Sequence, residues 1–491
     1  MMLVMLTTGL CLLHCSLMIF IILCGWTDSY FWRKVLDMKN TLLQKYNVPG
    51  PRYTSYPTVP YWEDGDFSTV QWESTLVKAY NESNGSEGIS LYIHLPFCES
   101  LCTFCGCHKR ITKRHEVEMP YINAVLKEWA MYRDLFRSRP RIKELHLGGG
   151  TPTFFAPENL KKLINGIFEL ADAAPGYEFS FEGHPNNTTR EHLQTLYDLG
   201  FRRVSYGVQD YDITVQKAIN RIQSFQNVAK ATLWAREIGY TSISHDLVFG
   251  LPFQTIATMV DTIEKTKSLQ PDRIAFYSYA HVPWIKGTGQ RGFDESNLPK
   301  DNEKRVLYEI GKELFLRNGY HEIGMDHFAL ESDSMCRSFE EGTLHRNFMG
   351  YSASKTKVMV GLGVSAISDS WYSFAQNEKH LEDYYKRIDN NELPVFKGHV
   401  LNREDLIIRK HILNLMCSFG TGWDEKELYF SELPAVLESL TEMENDGLLI
   451  IDNDFLAVTA KGKPFVRNIC MAFDMRLKRK APDTKLFSMT I

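Results

Sequence analysis

The chain has 491 residues, enough for a large core and more than one domain. Hydrophobic residues make up 44% and charged residues 23%, a balance typical of a globular protein that excludes a disordered chain. A formal net charge of −5 argues against a general nucleic-acid binder, which would be basic overall.

In chain order, the first feature is "MMLVMLTTGLCLLHCSLMIFIILCGW", from Met1 to Trp26, which carries no Asp, Glu, Lys or Arg. It is long enough to cross a bilayer, and Arg33, Lys34 and Lys39 behind it would leave the rest of the chain in the cytoplasm. A secretory signal fits less well, because no basic region precedes the apolar run. The other reading is that translation starts at Met38 and residues 1–37 are upstream sequence read in frame. Either way, the bulk of the protein is expected to be cytoplasmic. Residues 38–87 read as an N-terminal arm, with "GPRYTSYPT" (50–58) an extended, proline-punctuated stretch.

From about 88 to 290, strand-like runs alternate with helical patterns. The strands are expected at 89–97, 142–150, 177–185, 201–209, 241–250 and 272–280. Helices fill the gaps, for instance 120–136 and 157–172, each beginning at a proline. Six such alternations predict an α/β fold with parallel strands and right-handed crossovers. A barrel and an open doubly wound sheet both satisfy the pattern, and in both the chemistry sits in loops at strand C-termini. After about 375 the pattern turns mostly helical, so 88–375 is read as the catalytic domain and 376–491 as a cap domain. Residues 433–462 read as helix followed by a hairpin turning at Asp452–Asp454. That order also occurs in winged-helix DNA readers, but this segment is poor in Lys and Arg and rich in acids.

The loop behind the first strand, "CESLCTFCGC", holds Cys98, Cys102, Cys105 and Cys107. The other six cysteines are scattered (Cys11, Cys15, Cys24, Cys336, Cys417, Cys470), unlike a disulfide framework, which points to a reducing compartment. Thiolates suit zinc, copper(I) or iron–sulfur clusters. Structural zinc would use two separated pairs, and a Cys-x-x-Cys redox motif would leave two cysteines unexplained. A close run of cysteines favours an iron–sulfur cluster.

Cys98, Cys102 and Cys105 resemble the three-cysteine signature of the radical S-adenosylmethionine (SAM) superfamily. That resemblance implies a partial (β/α)6 barrel and a 4Fe–4S cluster held by three thiolates, with the fourth iron left open to SAM. Gly148-Gly149-Gly150-Thr151 stands where the superfamily has its glycine-rich SAM motif. "YIHLPFCESLCTFCGCHK", "LHLGGGTPT", "RRVSYGVQD", "INR", "DLVFGLPFQT", "YSYAHVPW", "GMDHFA", "LHRNF" and "GVSAIS" together resemble the oxygen-independent coproporphyrinogen III oxidases over roughly residues 40 to 475.

This resemblance implies a radical reaction that turns two propionates of coproporphyrinogen III into vinyl groups, giving protoporphyrinogen IX in haem biosynthesis. It implies two SAM molecules. Tyr92, Gly149 and Glu182 would line the one on the cluster. Phe104, Gly150, Thr151, Gln209, Arg221, Asp246 and Ala280 would serve the second, and Ile367 would touch one of the two. Cys107 would lie in the active site without being a cluster ligand, its role unsettled. The implied partners are a low-potential electron donor of flavodoxin or ferredoxin type and an electron acceptor, with no nucleic acid, and the chain acting as a monomer. His94, His108, His146 and His327 read as scaffold. "HKRITKRH" (108–115) and Arg52 are candidates for the substrate's carboxylates, although a solvated basic loop is an equal reading of the first.

The related haem chaperone shares the three cysteines but usually lacks both the cysteine at 107 and the "PRYTSYPT" arm. A structural zinc protein is the non-enzyme alternative. One departure is that Glu182 is followed by Gly183-His184, where many family members have Val-Asp. The leader of residues 1–37 has no counterpart in the family pattern.

Overall fold

The computed structural model describes residues 41–62, 67–283, 290, 292–423, 426–480, 482 and 486–490. The apolar leader of residues 1–37 lies outside the described residues. Among the described residues no helix is long and apolar enough to cross a membrane.

Six strands carry the catalytic half: β1 (Ile89–Leu95), β2 (Arg141–Gly149), β3 (Asp172–Gly183), β4 (Arg203–Gln209), β5 (Ser242–Phe249) and β6 (Arg273–Ser278). Each pairs in parallel with the next in chain order. That unbroken order resolves the choice left open by the sequence: the sheet is singly wound in one direction, as a partial barrel is, and has no point where the winding reverses. β1 and β5 are buried along nearly their whole length, as strands covered on both faces must be.

The crossovers are α2 (Glu118–Phe136), α3 (Pro157–Glu169), α4 (Arg190–Asp198), α5 (Phe225–Ile238) and α6 (Ile256–Ser268), following an N-terminal α1 (Thr69–Ser83). Local chemistry starts them. Ser68, Thr189, Ser224 and Thr255 cap α1, α4, α5 and α6 by accepting backbone N–H groups that would otherwise go unpaired. Pro157 opens α3 as expected. Helix α2 begins two residues before Pro120, so that proline still falls in the first turn, where no intrahelical donor is lost.

The sheet does not end with the six strands. After α7 (Asp301–Arg317), β7 (Tyr320–Gly324) and β8 (His327–Leu330) add antiparallel strands beside β6. At the other edge β9 (Met359–Leu362) pairs in parallel with β1, followed by antiparallel β10 (Ile367–Asp369), β11 (Ser373–Asn377) and β12 (Val395–Val400). The result is one twelve-stranded sheet. The switch to a helical pattern expected at about residue 375 therefore comes later. Strands β11 and β12 are short and close, and a short strand cannot be told from a loop by periodicity alone.

Beyond residue 400 come α8 (Arg403–Ser418), a small three-stranded sheet and α9 (Val466–Phe473). The hairpin expected around Asp452–Asp454 is present as Leu449–Ile451 against Phe455–Val458, but the helix before it breaks at Leu440. The "GPRYTSYPT" arm is not a free extension. Arg467 donates to the carbonyls of Gly50 and Pro51, and Arg346 to those of Arg52 and Tyr53. The Tyr53 hydroxyl donates to Asp474 (3.1 Å), and Trp62 stacks on Phe374 (5.4 Å). An extended segment without its own ladder needs such partners for its backbone carbonyls.

Candidate functional site

The C-terminal ends of β1 to β6 converge on the cysteine loop. Cys98 closes a two-residue strand, Phe97–Cys98, which pairs in parallel with Arg110–Ile111. The loop between them is tied down at both ends. Thr112 N–H donates to the Cys98 carbonyl (2.9 Å), and Lys109 Nζ donates to the carbonyls of Cys105 and Cys107 (3.3 Å each). Asn220 reaches the Leu101 carbonyl (2.7 Å), and Thr103 reaches those of Ala218 and Ile219.

The Cys102 and Cys105 thiols stand close enough to Cys98 for their charges to act on it. Burial pushes the Cys98 thiol up to about 11, partly offset by Thr151 Oγ1 at 3.4 Å. A hydrogen bond from Cys107 holds the Cys105 thiol below its ordinary range, and the same bond pushes Cys107 up. Cys107 is exposed, whereas the other three are half-buried. Arg221 places Nη1 3.7 Å from the Cys102 sulfur and Nη2 2.5 Å from the Gly207 carbonyl, and its buried Nε finds no hydrogen-bond partner.

The glycine run at the end of β2 passes close to β1. A Cβ on Gly150 would sit 2.6 Å from the Pro96 carbonyl, and one on Gly149, where φ is +113°, would sit 2.7 Å from the His94 ring. These glycines therefore let β2 lie flush against the strand leading into the cysteine loop, beyond any room they leave for a ligand. Gly149 N–H donates to Glu182 Oε2 (3.2 Å), Gly150 N–H to the Leu95 carbonyl (2.8 Å) and Thr151 N–H to the Phe97 carbonyl (3.0 Å). Glu182, at the end of β3, also lies 3.5 Å from His146 Nε2.

Tyr92, on β1, hydrogen-bonds His94 (3.0 Å) and stacks beside His146. Asp246, on β5, is pushed up to about 7 by burial and accepts from Ser205 (2.8 Å), with Glu182 and Arg221 acting on it in opposite directions. Gln209, at the end of β4, has φ +67°, and its side-chain nitrogen lies beside Gly207. Phe104 packs against Val215, Ile219, Val248, Leu251 and Tyr279. Ala280 follows β6. The remaining residue, Ile367, comes in from the edge, its backbone close to Gly361, the register partner of Tyr92. It lies on β10, two strands from β1, and packs on Trp62, Phe374 and Leu401.

Several residues of the site carry no signal in the sequence. Gln290 donates to the Phe104 carbonyl (3.2 Å) and the Ala280 carbonyl (3.0 Å), joining the cysteine loop to the end of β6. Tyr121, on α2, donates to the His94 carbonyl (2.6 Å) and accepts from Val364 N–H (3.0 Å). Gln223 holds the carbonyls of Gly207 and Val208.

The histidines behave as scaffold. Burial lowers His94 to about 4 and His327 to about 3, and His94 Nε2 pairs with the His108 carbonyl at 3.0 Å. Arg52 pairs with a carboxylate of the protein itself, Asp326, and lies over the Tyr277 ring.

The donor set fits an iron–sulfur cluster: three clustered thiols on one loop, an unpaired arginine nitrogen beside them, and polar groups on successive strand ends. Residues 92–266 match the Radical SAM superfamily. The chain is 38% identical over 442 residues to an oxygen-independent coproporphyrinogen III oxidase of Helicobacter pylori, covering 88% of this chain and 96% of that one. It is 37% identical to the protein of the same name from Escherichia coli, over 91% of this chain and 97% of that one. The solved structure of the coproporphyrinogen III oxidase HemN from Escherichia coli, described as a radical SAM enzyme, superposes with a TM-score of 0.83 at 35% identity, over 89% of this chain and 98% of that one.

Proposed function

The chain belongs to the oxygen-independent coproporphyrinogen III oxidases, a radical SAM family, and from that premise we propose how its own residues do the work. It is an enzyme of haem biosynthesis that oxidatively decarboxylates two propionates of coproporphyrinogen III to vinyl groups, giving protoporphyrinogen IX. The family brings with it a 4Fe–4S cluster and SAM. When bound, they supply an electron that cleaves SAM and a deoxyadenosyl radical able to take a hydrogen from the propionate β-carbon.

Cys98, Cys102 and Cys105 hold the cluster, and Arg221 sets a positive charge beside Cys102. Tyr92, Gly149 and Glu182 line the SAM nearest the cluster, with Glu182 accepting ribose hydroxyls. A second SAM would be held by Phe104, Gly150, Thr151, Gln209, Arg221, Asp246 and Ala280, and Ile367 would offer an adenosyl contact from the apolar edge. Gln290 keeps Phe104 and Ala280 together and so fixes that second pocket. Cys107 acts in the site through its bond to Cys105, outside the ligand set.

One chain supplies every one of these groups, which supports a monomeric enzyme. It works in the cytoplasm, where its thiols stay reduced. The electron donor is a low-potential carrier, and a separate acceptor takes the electron left after CO2 departs.

The observation that carries this reading is the convergence of three cysteines, Arg221, Glu182 and Asp246 on the C-terminal ends of one set of parallel strands. Anaerobic reconstitution with iron and sulfide, followed by incubation with SAM, dithionite and coproporphyrinogen III, tests it. Protoporphyrinogen IX and 5′-deoxyadenosine are the expected products. Stable haem binding without decarboxylation would move the chain to the chaperone class.

A further inference from the structure

The basic stretch 108–115 needs a separate account. Lys109, Arg110, Lys113 and Arg114 put four positive charges into eight residues of a chain whose net charge is −5. Only Lys109 is used inside the site, on the carbonyls of the cysteine loop. Arg110, Ile111, Lys113 and Arg114 are exposed. Arg110 meets Glu382 at 3.5 Å across a solvent-exposed gap, while Lys113 and Arg114 make no ion pair with any described residue. Lys379 and His380 stand close enough to act on His108, extending the positive field. Glu99, Glu116 and Glu382 are the exposed acids beside the stretch, fewer than the five cations Lys109, Arg110, Lys113, Arg114 and Lys379.

The backbone placement is unusual. Arg110–Ile111 is hydrogen-bonded only to Phe97–Cys98, in a two-stranded sheet separate from the main one, with Cys98 and Ile111 as register partners. Strand neighbours lie about 4.8 Å apart, so the surface at Ile111 is one strand from a cluster-holding cysteine. Ile111 itself is 42% exposed, an apolar residue in a stretch whose Arg110, Lys113 and Arg114 are also exposed. An excess of exposed positive charge beside an exposed apolar residue steers a partner of the opposite sign.

We propose that Arg110, Ile111, Lys113 and Arg114 form the docking patch for an acidic one-electron carrier protein that delivers the reducing electron through the Cys98 strand. This rests on the radical SAM reading, which requires such an electron. The step moves one electron and no atoms: the carrier is oxidised by one electron and the cluster is reduced by one. The patch lies on the two-stranded side sheet, separate from the main sheet that carries Tyr92, Glu182 and Asp246. A transient, electrostatically steered contact of small area suffices for this role.

The test uses reconstituted holoenzyme, the double variant Lys113→Glu/Arg114→Glu, and flavodoxin as the acidic carrier. Binding of oxidised flavodoxin is read by calorimetry, and electron transfer from reduced flavodoxin by stopped-flow absorbance. At low salt, both affinity and the second-order rate should fall at least about tenfold in the variant. The difference should shrink as salt rises, because screening removes the field. Ile111→Ala should weaken binding without changing its salt dependence. Dithionite-driven conversion of coproporphyrinogen III, and its KM, should match wild type in all variants. Unchanged flavodoxin binding and rate would overturn the proposal, as would failure of the wild type to accept electrons from flavodoxin. A raised porphyrinogen KM under dithionite would overturn it too, by giving the strand to the substrate. Loss of dithionite-driven product in the wild type would instead strike at the enzymatic reading itself.

Discussion

Arg221 sits with one guanidinium nitrogen 3.7 Å from the sulfur of Cys102 and another on the Gly207 carbonyl at the end of β4. A cation held beside a cluster thiolate favours the more negative, reduced state of the cluster. Arg221→Met should therefore still bind a cluster but lower its midpoint potential. Loss of a charged hydrogen bond is worth about 1.5–3 kcal/mol, so kcat/KM for SAM should drop about tenfold or more. Redox titration followed by EPR checks the potential, and an unchanged midpoint would remove Arg221 from this role.

The four cysteines should separate cleanly by substitution. Cys98→Ala, Cys102→Ala and Cys105→Ala should each abolish the cluster, since each would remove one of the three proposed thiolate ligands. Cys107→Ser should keep iron and sulfide at the wild-type level, because its contact is with Cys105. Iron and sulfide analysis of the four purified variants decides this. Zinc in place of iron, or cluster loss in Cys107→Ser, would contradict the assignment.

Gly150→Ala should be costly although the change is one methyl group. The new Cβ would come within 2.6 Å of the Pro96 carbonyl, and backbone cannot swing away as a side-chain end can. Overpacking of this kind costs about 1–3 kcal/mol. The expected result is a lower Tm together with weaker SAM binding, measured by thermal denaturation and equilibrium dialysis. A control at Gly106, where a Cβ would meet nothing within 4 Å, should leave Tm unchanged.

Glu128, buried on α2, makes the stability pH-dependent. Burial raises its carboxyl to about 8, against the opposing pull of Gly363 N–H, Tyr384 and Asn377. An unfolded glutamate titrates near 4.3, so between about 4.3 and 8 the folded state holds a proton that the unfolded chain has lost. The stability tied to this group is full below about 4.3 and is lost as pH rises through about 8. In Glu128→Gln that loss should vanish, so the Tm of wild type relative to the variant should fall steadily from pH 5 to pH 8. Parallel Tm curves across that range would rule the effect out.

Much of this was legible in the residues. Strand positions followed from apolar runs ending at Gly and polar residues, and the starts of α2 and α3 from Pro120 and Pro157. The cysteine spacing 98–102–105 is a local pattern, so its chemistry can be read without a fold. Strands β9 to β12 were not legible, because strands of three to six residues here join the sheet through distant pairing and not through any local period. The commitment of Arg52 to Asp326, 274 positions away, was invisible for the same reason.

By itself the sequence determined the cluster-holding loop, the alternation of strands and helices, and the family, because each is written in neighbouring residues or in the order of short motifs. Only the tertiary structure decided that the winding is single and unbroken, that Gln290 links Phe104 to Ala280, and that Ile111 lies beside Cys98. Those facts depend on which strands pair and in what register. Backbone hydrogen bonding across the chain sets that pairing, through groups that every residue carries and no sequence motif distinguishes.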